Sequence, residues 1–139
     1  MNKERFEQRK MRVYSGTTLD NYRTCAFINE QQQVVFNKAR EPRYAFGSFF
    51  YVPAFEGAAR YAFERANELG GNPLVISGLM DEENWTVRHT YELANGEFFV
   101  VNGVWLPKKG LDWHQLNPYG KGLSKEFFDE FDPKKLLTK

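Results

Sequence analysis

The sequence predicts an α+β fold, with short strands on both sides of one long helix. Three observations carry that prediction. Residues 54–69 place apolar side chains at helical spacing along one face. Short runs rich in Val, Phe, Tyr and Ile precede that helix ("TCAFI", "VVF", "SFFYV") and follow it ("PLVISGL", "WTVRHTYEL", "EFFVVNGVWL"). Aromatic residues make up 17% of the chain, 13 of them Phe, which is enough apolar bulk for a core and argues against general disorder. A chain of 139 residues suits one domain, 1–139, burying roughly two-thirds of the surface its unfolded form exposes.

The elements follow in order. The first ten residues, "MNKERFEQRK", are polar and form an N-terminal arm or a short helix. Met11–Tyr14 is a strand stopped by "SGTT", and Thr24–Ile28 is a second. After the polar turn "NEQQQ" comes Val34–Phe36, then a loop punctuated by Pro42 and Gly47. "SFFYV" is a strand, and Pro53 suits the approach to a helix because its missing N–H is unneeded there. Phe55, Ala58, Ala59, Ala62, Phe63, Ala66 and Leu69 share one helical face. Glu56, Arg60 and Glu64 occupy the wet face, and Gly70-Gly71 ends the helix. "PLVISGL" is a continuous apolar strand, "WTVRHTYEL" alternates, and "ANG" turns the chain into "EFFVVNGVWL". Residues 107–139 read as a loop and a last helix, "LSKEFFDEF", packed on the core. Ser124 would cap that helix, with Leu123, Phe127, Phe128 and Phe131 on one face.

Composition narrows the function. A net charge of +1 creates no global field for nucleic acid or a membrane surface. The basic, aromatic stretch "PKKGLDWHQLNPYGKG" is offset by Asp112, Glu126, Asp129, Glu130 and Asp132, so it reads as a packed loop rather than a nucleic-acid contact. One cysteine, Cys25, forms no intramolecular disulfide and suits a buried core position. With His89 and His114 as the only histidines, no ordinary zinc site is expected. No apolar run is long enough for a signal segment or a bilayer span, so a soluble, cytoplasmic protein is expected. Phosphate-cradling glycine loops, nucleophile elbows and paired-histidine spacings are absent.

Three pieces stand out together: "VYSGTT" (Val13–Thr18), "FGSFFYVPAFEGAARYA" (Phe46–Ala62) and "NGEFFVVN" (Asn95–Asn102). In order and form they resemble the ADP-ribosyltransferase superfamily, and within it the small bacterial and phage-borne domains. Those open with "Y-H-G-T" or "Y-R-G-T", continue with an aromatic "F-G-x-G-F-Y" into a helix, and present a Glu on a late strand. The likeness spans roughly Met11 to Trp105. Phe46, Gly47, Phe50 and Tyr51 fall on the aromatic segment, and Phe55, Glu56, Ala58, Arg60, Tyr61 and Ala62 on the helix.

The resemblance implies a split antiparallel sheet around an NAD cleft, one long helix packed against it, and an NAD-dependent enzyme acting on a macromolecule. The target would be a protein before a nucleic acid, and the enzyme a phage or bacterial effector. NAD would lie over Ser15, Gly16 and Thr17, against Phe50 and Tyr51, and Glu97 would stand beside the ribose. The chemistry suits these types. Loss of nicotinamide builds positive charge on the ribose, which a carboxylate stabilises, and an aromatic ring stacks on the leaving nicotinamide. Gly16 would let the ligand approach the backbone. The family's His or Arg before that glycine is Ser15 here, shorter and uncharged. Arg12 is a substitute only if its strand face reaches the cleft. Each residue also has a plainer reading: Tyr51 as core, Glu97 as an exposed strand-start charge with Glu92 as its rival, Ser15–Thr17 as an ordinary turn. The competing function is therefore the same fold without turnover, an inhibitor or adaptor that binds a protein or nucleic-acid partner.

Overall fold

The computed structural model describes residues 10–37, 49–81, 91–93, 99–112 and 124–137. They form a mixed α+β structure. The principal sheet has four antiparallel strands in the order β1 (Lys10–Thr18), β5 (Pro73–Asp81), β8 (Gly103–Pro107), β9 (Phe128–Phe131). A second sheet joins β2 (Ala26–Ile28), β3 (Val34–Phe36) and β7 (Phe99–Val101), and a ribbon pairs β4 (Phe49–Tyr51) with β6 (Tyr91–Leu93). Two α-helices are described, α1 (Leu19–Cys25) and α2 (Phe55–Leu69).

The principal sheet is covered on both faces. Helix α2 lies on one face, where Phe55, Ala58, Ala59, Ala62, Phe63 and Ala66 are buried against Tyr14, Val75, Trp105 and Phe128. This is the stripe expected from the sequence, except that Leu69 at its end is only half-buried. The alanines let the helix come close, and each fully buried large side chain such as Phe63 contributes about 2–3 kcal/mol. Gly70 closes the helix at φ 84° with its N–H on the Ala66 carbonyl, as the Gly-Gly pair predicts. On the opposite face, Val13, Leu74, Ile76 and Val104 pack with Val34, Phe36, Phe99 and Val101 of the second sheet and with Tyr22 and Cys25 of α1.

Several elements depart from the sequence reading. β1 does not stop at "SGTT" but runs through it to Thr18, pairing Ser15 with Ile76, Gly16 with Val75 and Thr17 with Leu74. Residues 19–25 form α1, so the expected strand 24–28 shortens to Ala26–Ile28. The Thr18 hydroxyl accepts the Asn21 N–H to cap that helix. Tyr22 donates to the Pro133 carbonyl at 2.7 Å, and Arg23 to that of Leu136 at 2.9 Å, so tertiary contacts stabilise a helix too short to persist alone. The expected last helix 123–131 is instead a 3₁₀ turn, Lys125–Phe127, followed by β9. Phe128 alternates inward there and pairs with Pro107, and sheet pairing with β8 overrides the helical spacing. Ser124 makes no helix cap; its hydroxyl donates to Glu126.

Candidate functional site

Strand β1 positions most of the residues in question, and its two faces differ. Tyr14, Gly16 and the paired Val75 and Ser77 belong to the face beneath α2; Val13, Ser15 and Thr17 belong to the face turned toward the second sheet. Ser15 is 4% exposed and Thr17 5%, so both are buried in the sandwich. Gly16 faces the helix backbone. A Cβ there would stand 2.5 Å from the Ala62 nitrogen and 3.0 Å from its Cα, with the Ala58 carbonyl oxygen closer still. This corrects the expectation for Gly16. The glycine serves the close approach of strand and helix, and the space expected for a ligand is filled by α2. Ser15 and Thr17, expected to lie under a dinucleotide, are likewise enclosed.

Phe50 and Tyr51 sit on the β4–β6 ribbon, which docks on β1. Tyr14 and Val52 exchange backbone hydrogen bonds of 2.7 and 2.9 Å in an isolated antiparallel bridge. Tyr51 therefore immediately precedes the residue bridged to Tyr14, and Ser15 immediately follows Tyr14 itself. Across the ribbon, Phe50 is registered with Glu92 and Tyr51 with Tyr91. The rival carboxylate thus lies on the strand paired with the aromatic segment. Glu97 lies outside the described residues, as do Phe46 and Gly47.

A polar cluster that the sequence reading did not assemble closes the open end of the helix-side face. The Arg12 guanidinium donates to the Ser77 hydroxyl and to the Asn102 side-chain oxygen, each at 3.1 Å. Ser77 is fully buried and its hydroxyl lies 3.1 Å from the same Asn102 oxygen. The Asn102 N–H also donates to the Ser77 carbonyl, which fixes the one-residue link between β7 and β8. A serine inside the apolar run "PLVISGL" was the available signal, but its partners lie 65 and 25 residues away. Chemically, the cluster presents an exposed cation whose orientation is held by two neutral acceptors, an arrangement suited to an anionic group.

Asn102 also lines an open cavity of about 290 Å³, together with Gln32, Gln33, Val34, Asp132 and Lys134. Its lining combines valine and proline side chains with amides and one charge of each sign. Beside it, burial and then the Asp132 carboxylate push the Tyr22 phenol far above its ordinary range. Among the described residues no helix is long and apolar enough to cross a membrane, and no group of three or more His, Cys, Asp and Glu is arranged to hold a metal ion. No protein-family model, no curated protein and no solved structure matches this chain.

Proposed function

We propose that this chain is an NAD-dependent ADP-ribosyltransferase that modifies a macromolecule, with its reacting centre at the β4–β6 ribbon rather than over Ser15–Thr17. The observation that carries the reading is the register of that ribbon. It sets the aromatic strand Phe49–Tyr51 directly against the carboxylate-bearing strand Tyr91–Leu93 and ties it to β1 at Tyr14. Such a pairing supplies the two groups the reaction needs, an aromatic to hold nicotinamide and a carboxylate to stabilise the cationic ribose. Glu97 keeps the role the resemblance gives it, with Glu92 its competitor. Arg12 replaces Ser15 as the group facing the dinucleotide phosphates, since an exposed guanidinium meets phosphate where a buried hydroxyl does not.

The test is transfer of label from NAD to lysate macromolecules. Loss of one such carboxylate lowers turnover by about 10²–10³. We expect that loss in either Glu97→Gln or Glu92→Gln. Transfer at the wild-type rate in both removes carboxylate catalysis from the protein. The enclosure of Ser15, Gly16 and Thr17 favours a second reading, a binding protein without turnover. That reading predicts no NAD consumption and no thermal stabilisation by NAD. A genuine NAD site adds about 2.7 kcal/mol at a hundredfold the dissociation constant.

A further inference from the structure

We propose that Tyr14, Phe55 and Trp105 form a receptor for a methylated ammonium group, held closed in this chain by Lys125. The three rings meet edge to face, with centroids 5.5 Å apart for Tyr14–Phe55, 5.7 Å for Tyr14–Trp105 and 5.6 Å for Phe55–Trp105. They make a box with three aromatic walls, backed by Phe128 at 5.0 Å from Phe55. The Lys125 nitrogen lies beside all three, 5.1 Å from the Trp105 centroid, 5.8 Å from Phe55 and, at the hydroxyl end of its ring, 4.9 Å from Tyr14. These are distances at which ring faces attract a cation. The proposal does not depend on the transferase reading.

Lysine is an imperfect occupant. Its ammonium has three N–H donors, and one goes to the Tyr14 hydroxyl at 2.8 Å. No carboxylate among the described residues pairs with it. Any donor turned toward a ring face is satisfied less well there than by water or an anion. A methylated ammonium has methyl groups where lysine has those donors, so it fills an aromatic box without leaving hydrogen bonds unmade. Lys125 holds the position because it is tethered. It lies on the three-residue turn Lys125–Phe127 between Ser124 and β9, and it is exposed while the rings beneath are buried. Tethering gives an effective concentration in the millimolar range, enough to exclude a weak free ligand.

Calorimetric titration with tetramethylammonium chloride tests this in the wild-type chain, in Lys125→Ala, and in Lys125→Gln, which keeps most of the stem length. Both substitutions are expected to tighten binding about tenfold or more, because the tethered competitor is gone. tert-Butyl alcohol, the neutral counterpart, should bind at least about tenfold more weakly than the cation to the same variants. Equal binding of cation and neutral counterpart, or no tightening in either variant, overturns the proposal. A trimethyllysine peptide distinguishes the source. Binding tighter than that of the free ion assigns a methylated protein segment, and equal binding assigns a small quaternary amine.

Discussion

Replacing Gly16 with alanine separates a packing glycine from a ligand-facing one. The added Cβ would lie 2.5 Å from the Ala62 nitrogen and closer still to the Ala58 carbonyl oxygen, so relief to an ordinary contact near 3.4 Å requires strand and helix to part by more than roughly 1 Å. The obstacle is helix backbone, which cannot swing aside as a side chain does, and Ala58, Ala59 and Ala62 beside it are at most 2% exposed. Overpacking of this kind costs about 1–3 kcal/mol, and a backbone obstacle puts Gly16→Ala at the upper end. Alanine recovers about 0.4–1 kcal/mol by restricting the unfolded chain, because Gly16 is not among the positive-φ glycines. The net expectation is a loss of about 2–3 kcal/mol, or a fall in Tm of roughly 6–12 °C. Urea unfolding should show a lower midpoint at unchanged slope. A variant within about 0.5 kcal/mol of wild type refutes the packing argument. If that stable variant also lost NAD-dependent stabilisation, the ligand-facing role would be restored.

Two further outcomes follow from the same geometry. Gly78→Ala should destabilise by about 2–3 kcal/mol, since its Cβ would collide with the Phe99 ring, whose Cε1 lies 2.7 Å away and whose Cζ is closer still, and with the Val100 carbonyl oxygen where the two sheets meet; a midpoint equal to wild type in urea would show that the sheets can separate freely. Tyr22→Phe should cost about 1 kcal/mol at neutral pH through the lost bond to the Pro133 carbonyl. It should also flatten the alkaline limb. Folded Tyr22 keeps its proton, with its pKa raised by burial and Asp132, while the unfolded chain releases it near pH 10. The stability from neutral Tyr22 is complete below that pH and declines above it, by up to about 1.4 kcal/mol per pH unit. Unfolding midpoints between pH 9 and 11 measure the slope, and equal slopes in both proteins contradict the assignment.

Helix α2 was legible because its signal is local: six buried residues at helical spacing and a glycine stop. The core strands β3 and β5 were legible for the same reason, as runs of branched and aromatic residues, whereas "EFFVVNGVWL", read as one strand, divides at Asn102 into β7 and β8 of different sheets. Helix α1 was hidden because its stabilisation is not local. "LDNYRTC" has middling helix propensity, and Tyr22 and Arg23 find their partners 111 and 113 residues later. The segment 124–131 failed differently. Phe127, Phe128 and Phe131 fit a helical face, yet a partner strand offered Phe128 a place beside Phe55 and Phe63. Gly16 looked like a turn residue because a glycine chosen for close packing and one chosen for a bend are identical in sequence.

Strand alternation also decides where chemistry is available along β1. Ser15 and Thr17 share their face with Val13, and that face is sealed by the second sheet. The opposite face carries Arg12, Tyr14 and Gly16 in sequence, and along it the character changes from an exposed cation, through a phenol in contact with an ammonium, to a contact closed by helix backbone. A ligand that reaches β1 therefore meets it at the Arg12–Tyr14 end, next to the Val52 bridge and the aromatic strand it leads to. Val13–Thr18 and Phe49–Ala62 are then neighbours through Tyr14 rather than through Ser15. If NAD binds as proposed, Arg12→Ala should weaken NAD-dependent stabilisation and Ser15→Ala should not. The reverse pattern would return the dinucleotide to the sealed face and demand that the two sheets part to admit it.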